Sequence, residues 1–131
     1  MKKILAFTGS NNPNSINEKL VQSIISKYPD QSIEFIDLKR YDVPIYSQNI
    51  EQNGIPEPIK KLFQLFTEAD AFIIGSPEHN GLPSAFLKNT IDWLSRISQK
   101  FIDGKPVLLL STSPGPMGGK THLQILEKLV L

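Results

Sequence analysis

The chain of 131 residues contains no cysteine. That excludes a disulfide framework, a cysteine nucleophile and a thiolate metal site, and it fits a reducing compartment. No apolar run approaches the roughly 20 residues of a membrane span. Charge of one sign is also missing: 14 Lys and Arg against 13 Asp and Glu leave a net +1. The basic residues are scattered, so nothing favours nucleic acid or an anionic membrane as a partner. Only two histidines occur, His79 and His122, and neither accompanies a carboxylate cluster, so no metal site is expected. The opening Met1-Lys2-Lys3-Ile4-Leu5-Ala6-Phe7 imitates a signal peptide. Its apolar part stops at Thr8-Gly9, short of the roughly 7–15 residues of a secretory core. A first core strand in a soluble, cytoplasmic protein is the expectation.

What is present is an alternation of apolar β-rich runs with helical patterns, which argues for an α/β domain built on a parallel sheet. Strands are expected at Lys3–Thr8, Ser32–Asp37, Ala71–Gly75 and Pro106–Ser111. Helices are expected from about Ile16 to Tyr28, from Pro58 through Phe66, from about Ser84 to Ser98, and after Gly119. Between them, residues 38–55 form an irregular stretch longer than most loops. The expected sheet order is 2-1-3-4 in one domain, residues 1–131. Val107-Leu108-Leu109-Leu110 is apolar on both alternating faces, the pattern of a strand covered on both sides. No strand pattern follows it, so a final strand and helix are expected to be missing and this strand to become an apolar edge.

Chemistry concentrates in three turns. Gly9-Ser10-Asn11-Asn12-Pro13-Asn14-Ser15-Ile16-Asn17 joins the first strand to the first helix without a dinucleotide or triphosphate glycine motif. It can seat one phosphate on the helix N-terminus. It can equally be a plain cap, with Ser15 and Glu18 as a capping box. Gly75-Ser76-Pro77-Glu78-His79-Asn80-Gly81-Leu82-Pro83 follows the third strand, and Ser113-Pro114-Gly115-Pro116-Met117-Gly118-Gly119 follows the fourth. With right-handed crossovers all three turns emerge at one sheet edge, beside the switch point between strands one and three. A ligand with a phosphate at one end and a planar heterocycle at the other suits that rim. Gly115, Gly118 and Gly119 would admit close backbone approach.

These residues, together with Ala69-Asp70-Ala71 and Leu87-Lys88-Asn89-Thr90-Ile91-Asp92-Trp93, resemble the NADPH-dependent FMN reductase family. The resemblance spans nearly the whole chain. It implies a flavodoxin-like three-layer sandwich, and it implies quinone, chromate or azo-dye reduction with FMN and NADPH. It places Ser10, Ser15, Ile16 and Asn17 at the FMN phosphate and Pro77, Glu78, His79, Asn80 and Gly81 along the isoalloxazine ring. Ser113, Gly115, Gly118 and Gly119 fall at the pyrimidine side. It also implies a dimer or tetramer with the 84–98 helix near the contact. Asn11-Asn12 stand where the family often has Leu-Arg, which removes a charge-assisted phosphate contact. His79 replaces an aromatic tyrosine. The family's fifth strand and last helix have no counterpart.

The resemblance implies transfer of electrons from NAD(P)H through bound flavin to a quinone, azo compound, metal ion or free flavin. A flavin-binding electron carrier without its own NAD(P)H oxidation is the alternative, since one fold hosts both. The 84–98 helix carries two apolar stripes, and the second suggests a subunit contact. Lys88, Asp92 and Arg96 would form an ion-pair ladder. Glu78 beside His79 shows no serine partner for hydrolysis, and His122, near the start of the last helix, is expected to be exposed.

Overall fold

The structure is a computed structural model and describes residues 2–131. In chain order the elements are β1 (Ile4–Thr8), α1 (Ile16–Ser26), β2 (Ile33–Phe35), a 3-10 turn (Leu38–Tyr41), α2 (Gln48–Glu51), α3 (Glu57–Glu68), β3 (Ala71–Gly75), β4 (Glu78–His79), β5 (Leu82–Pro83), α4 (Ala85–Ile97), β6 (Val107–Leu110) and α5 (Lys120–Val130). Strands β2-β1-β3-β6 pair in parallel, and β4-β5 form a separate hairpin. The expected order 2-1-3-4 is therefore present, with β6 as the fourth sheet strand. No helix among the described residues is long and apolar enough to cross a membrane.

Period-two alternation sorts the strand residues onto two faces. Leu5, Phe7, Phe72 and Ile74 point to one face, where they meet Ile59, Leu62 and Phe66 of α3, Leu87, Ile91 and Leu94 of α4, and Leu126 and Val130 of α5. Ala6 and Ile73 point to the other, where α1 supplies Val21. Among the described residues only β3 pairs with β6, whose residues are half-buried or exposed; Leu108 keeps 48 % of its surface. The all-apolar pattern of this strand is thus that of an edge with one open face.

Several expectations shift. Helix α1 stops at Ser26, and its capping box is half formed. Ser15 Oγ accepts the Glu18 N–H, while the Ser15 N–H donates to Asn12 rather than to Glu18. The stretch 38–55 is not structureless. It contains the 3-10 turn and α2, and its residues 43–46 lie across α4. There the Trp93 indole N–H donates to the Pro44 carbonyl at 2.9 Å, and the Asn89 side chain accepts from Tyr46 N–H and donates to Pro44. Tyr46 packs edge-on to Trp93, with ring centroids 4.9 Å apart.

Of the Phe86-Trp93-Ile97 stripe of α4, Trp93 is thus covered by this chain itself and fully buried, whereas Phe86 is half-buried and Ile97 exposed. The expected ion-pair ladder is also divided: Lys88 pairs with Asp92, whereas Arg96 turns to Glu51. Glu51 also accepts the Tyr46 hydroxyl. That hydrogen bond first, and Arg96 second, hold the Glu51 carboxyl below its usual range, and the same bond raises Tyr46.

Candidate functional site

The loops after β1, β3 and β6 meet at the carboxyl edge of the sheet and enclose a cleft of about 340 Å³. Its walls are residues 10–12 and 14–17, then Pro77, Glu78 and His79, then Thr112, Ser113 and Pro114. One end is a donor set. The first N–H groups of a helix have no intrahelical acceptor. In α1 the Glu18 and Lys19 N–H groups return to Ser15, which leaves those of Ile16 and Asn17 without a partner in their own turn. Ser10 Oγ accepts from Asn12 N–H at 3.1 Å, and Ser15 Oγ accepts from Glu18 N–H at 3.2 Å. Each hydroxyl keeps its own hydrogen to give. Two hydroxyls and two backbone N–H groups at the positive end of a helix dipole form a seat for an anion. The cleft wall holds no lysine or arginine, so this seat is built from neutral donors.

Asn17 lines the cleft and is also tied to the third loop. Its amide is committed to the third loop, accepting the Thr112 N–H at 2.8 Å and donating to the Thr112 carbonyl at 3.2 Å. Its second amide N–H and its backbone N–H have no partner among the described residues. The second loop is also more ordered than its composition implies. Asn80 and Gly81 have φ of 55° and 79°, the paired left-handed conformation of a two-residue hairpin turn. The turn sets Glu78 opposite Pro83 and His79 opposite Leu82. The Asn-Gly dipeptide was the available signal. Prolines on both sides and strands of two residues obscured it.

In the third loop, Gly119 caps α5 with φ 80°, and a Cβ there would overlap the Ser111 hydroxyl. This close approach carries His122 inward, so it is fully buried rather than exposed. Its ring lies 2.9 Å from Ser76 Oγ through Nε2 and 2.6 Å from the Gly119 carbonyl through Nδ1. Ser76 is equally buried, so the pair has no access to a substrate carbonyl and is no hydrolytic dyad.

Each pair of loops is tied by side chains. Asn17 joins the first to the third. Ser84 Oγ, the cap of α4, donates to Gly9 O at 2.6 Å and joins the first to the second. Ser111 Oγ donates to Ser76 O at 2.7 Å, and Glu78 accepts the His122 N–H at 3.1 Å, joining the second to the third. Glu78 thereby places a carboxylate at the N-terminus of α5, whose cap residue has no side chain.

Of the thirteen expected site residues, Ser10, Ser15, Ile16, Asn17, Pro77, Glu78, His79 and Ser113 line the cleft. Asn80 lies instead, with His79, along a neighbouring groove toward α4 and α5. Gly81, Gly115, Gly118 and Gly119 line neither. Thr112 and Pro114 line the cleft without having been expected there. Among the described residues no group of three or more metal-ligating side chains converges.

A family model described as NADPH-dependent FMN reductase matches residues 2–130. An NAD(P)H-dependent FMN reductase of Pseudomonas aeruginosa is 32 % identical over 88 % of this chain and 62 % of its own length. A quinone reductase of Escherichia coli is 34 % identical over 89 % of this chain and 63 % of its own. The chain thus spans under two thirds of each. The solved structure of FerB, a flavoenzyme NAD(P)H:(acceptor) oxidoreductase from Paracoccus denitrificans, superimposes with a TM-score of 0.78 at 28 % identity. That superposition covers 99 % of this chain and 71 % of FerB.

Proposed function

We propose, on the premise that the chain belongs to the NADPH-dependent FMN reductase family and has its flavodoxin-like fold, that it binds FMN in the three-loop cleft. There it oxidises NAD(P)H and passes electrons to a quinone or to free flavin. The observation that carries this is the pairing of a neutral anion seat at one end of the cleft with a hairpin wall at the other. The residues fit the group. Ser10, Ser15 and the N–H groups of Ile16 and Asn17 would hold the phosphate. Pro77, Glu78 and His79 would flank the ring, and Thr112 to Pro114 would close the far side.

Bound FMN supplies acceptance of a hydride from NAD(P)H and its return as electrons to the acceptor. The protein's part is placement. The cross-ties fix the loops before any ligand arrives, which reduces the ordering cost of binding. The α1 N-terminus would draw the phosphate, and the hairpin wall would flank the ring. No side chain is asked to move a proton. Quinone or flavin is the acceptor class supported by the similar reductases. The azo compounds and metal ions among the initial expectations have less support, since they rest on the family resemblance alone.

Anaerobic mixing of the full chain with FMN and NADPH tests the proposal. Flavin absorbance should bleach faster than with free FMN. Equal rates would end the reductase reading, and bound flavin that only a partner reductase can bleach would make the protein a carrier instead. Because no cation lines the seat, the FMN dissociation constant should change less than about twofold between low and high salt.

A further inference from the structure

The geometry points to His122 as a positioning residue: its imidazole joins Ser76 to the Gly119 carbonyl and so sets the spacing between the second and third loops on either side of the cleft. A carbonyl oxygen only accepts, so Nδ1 carries a ring hydrogen toward Gly119, while Nε2 shares one hydrogen with the Ser76 hydroxyl. Both ring nitrogens are then satisfied in a fully buried position, as a buried polar ring requires.

The neighbouring bonds give this ring its leverage. Ser76 begins the loop that carries Pro77, Glu78 and His79, and its carbonyl is held by Ser111, at the start of the third loop. The residue that bears the ring also gives its backbone N–H to Glu78. The nearest carboxylate oxygen of Glu78 lies 3.6 Å from Nδ1, outside hydrogen-bond range, so the carboxylate serves the helix rather than the ring. The left-handed backbone of Gly119 is what lets the ring enter. An apolar side chain at position 122 could fill the volume, but it would leave Ser76 and the Gly119 carbonyl to find other partners, and the two loops would keep one fewer tie. His122 touches no reacting group and acts through the walls of the cleft.

This inference rests on the flavin reading, and the test separates the two. An asparagine amide falls near the position of Nδ1 and a glutamine amide near that of Nε2. His122→Asn should keep the Gly119 bond, lose Ser76 and weaken FMN binding about tenfold, a change of about 1.4 kcal/mol. His122→Gln should reach Ser76 again and restore the dissociation constant to within about threefold of wild type. Ser76→Ala should match His122→Asn, and the double variant Ser76→Ala/His122→Asn should bind no worse than either alone. Equal effects of Asn and Gln, or lower melting points with unchanged FMN affinity, would reduce His122 to a core residue and overturn the proposal. If the wild-type chain binds no FMN, the flavin reading fails. The latch is then judged by the same cycle read in unfolding free energy, where additive effects of Ser76 and His122 would overturn it.

Discussion

The two faces of the sheet are built unequally. One buries eighteen apolar residues beneath α3, α4, α5 and the 43–46 segment. The other buries three beneath α1 alone and leaves a groove of about 520 Å³ between Tyr28, Ile33 and Leu108. Both faces come from the same strands, residue by residue in alternation. Burial of a strand residue is therefore decided by which helices reach its side of the sheet, and not by the strand. The cleft draws on both faces. Its second loop leads into α4, its third loop leads into α5, and its donor set stands at the start of α1. The Asn17–Thr112 bonds are what join the thinly packed helix to the loop that heads α5.

The strongest way to break this contrast is Trp93→Ala. It empties the packed face, removes the indole bond to Pro44 and should cost about 3–5 kcal/mol in urea denaturation. Val21→Ala, the matching cut on the thin face, should cost about 2 kcal/mol, in keeping with the lost methyl groups. A larger loss at Val21 than at Trp93 would reverse the assignment of where stability lies. Asn17→Ala should cost about 1.5 kcal/mol by leaving the Thr112 backbone groups without partners. It should also weaken FMN binding, as measured by fluorescence titration.

Leu108→Lys on the open face should stay within about 0.5 kcal/mol of wild type and reduce self-association in sedimentation, since it places a charge on an apolar edge strand. The smallest effect concerns Glu51, which ties the 43–46 segment to α4. Its folded pKa is lowered, so its contribution is complete above the ordinary value of 4.5 and fades as pH falls through the lowered one. The stability difference between wild type and Glu51→Gln should be present at about pH 6 and shrink toward about pH 3.

Much of this was legible in the order of residues. Leu5, Phe7, Phe72 and Ile74 announced strands, Leu62 and Phe66 announced a helix, and right-handed crossovers then left little choice of where Ser10, Glu78 and Ser113 would emerge. Trp93 was visible as part of a second stripe, but its cover was not. That cover comes from Pro44 and Tyr46, in a stretch with no periodicity to betray it. His122 was misjudged for a related reason. Its burial depends on a left-handed Gly119 packed against Ser111, two residues whose contact no local pattern encodes. The hairpin at Asn80-Gly81 was encoded locally, yet its two-residue strands are too short to show alternation.

By itself the sequence determined the alternation of strands and helices, the single parallel sheet and the rim on which its three polar turns stand, because period and turn chemistry act over a few residues at a time. Only the tertiary structure decided which face is thickly covered, that the turns are fastened to one another by Asn17, Ser84, Ser76 and His122, and that the Asn17 amide reaches the Thr112 backbone. Those outcomes hang on hydrogen bonds between residues far apart in the chain, and such bonds exist only once packing has excluded the water that would otherwise take their place.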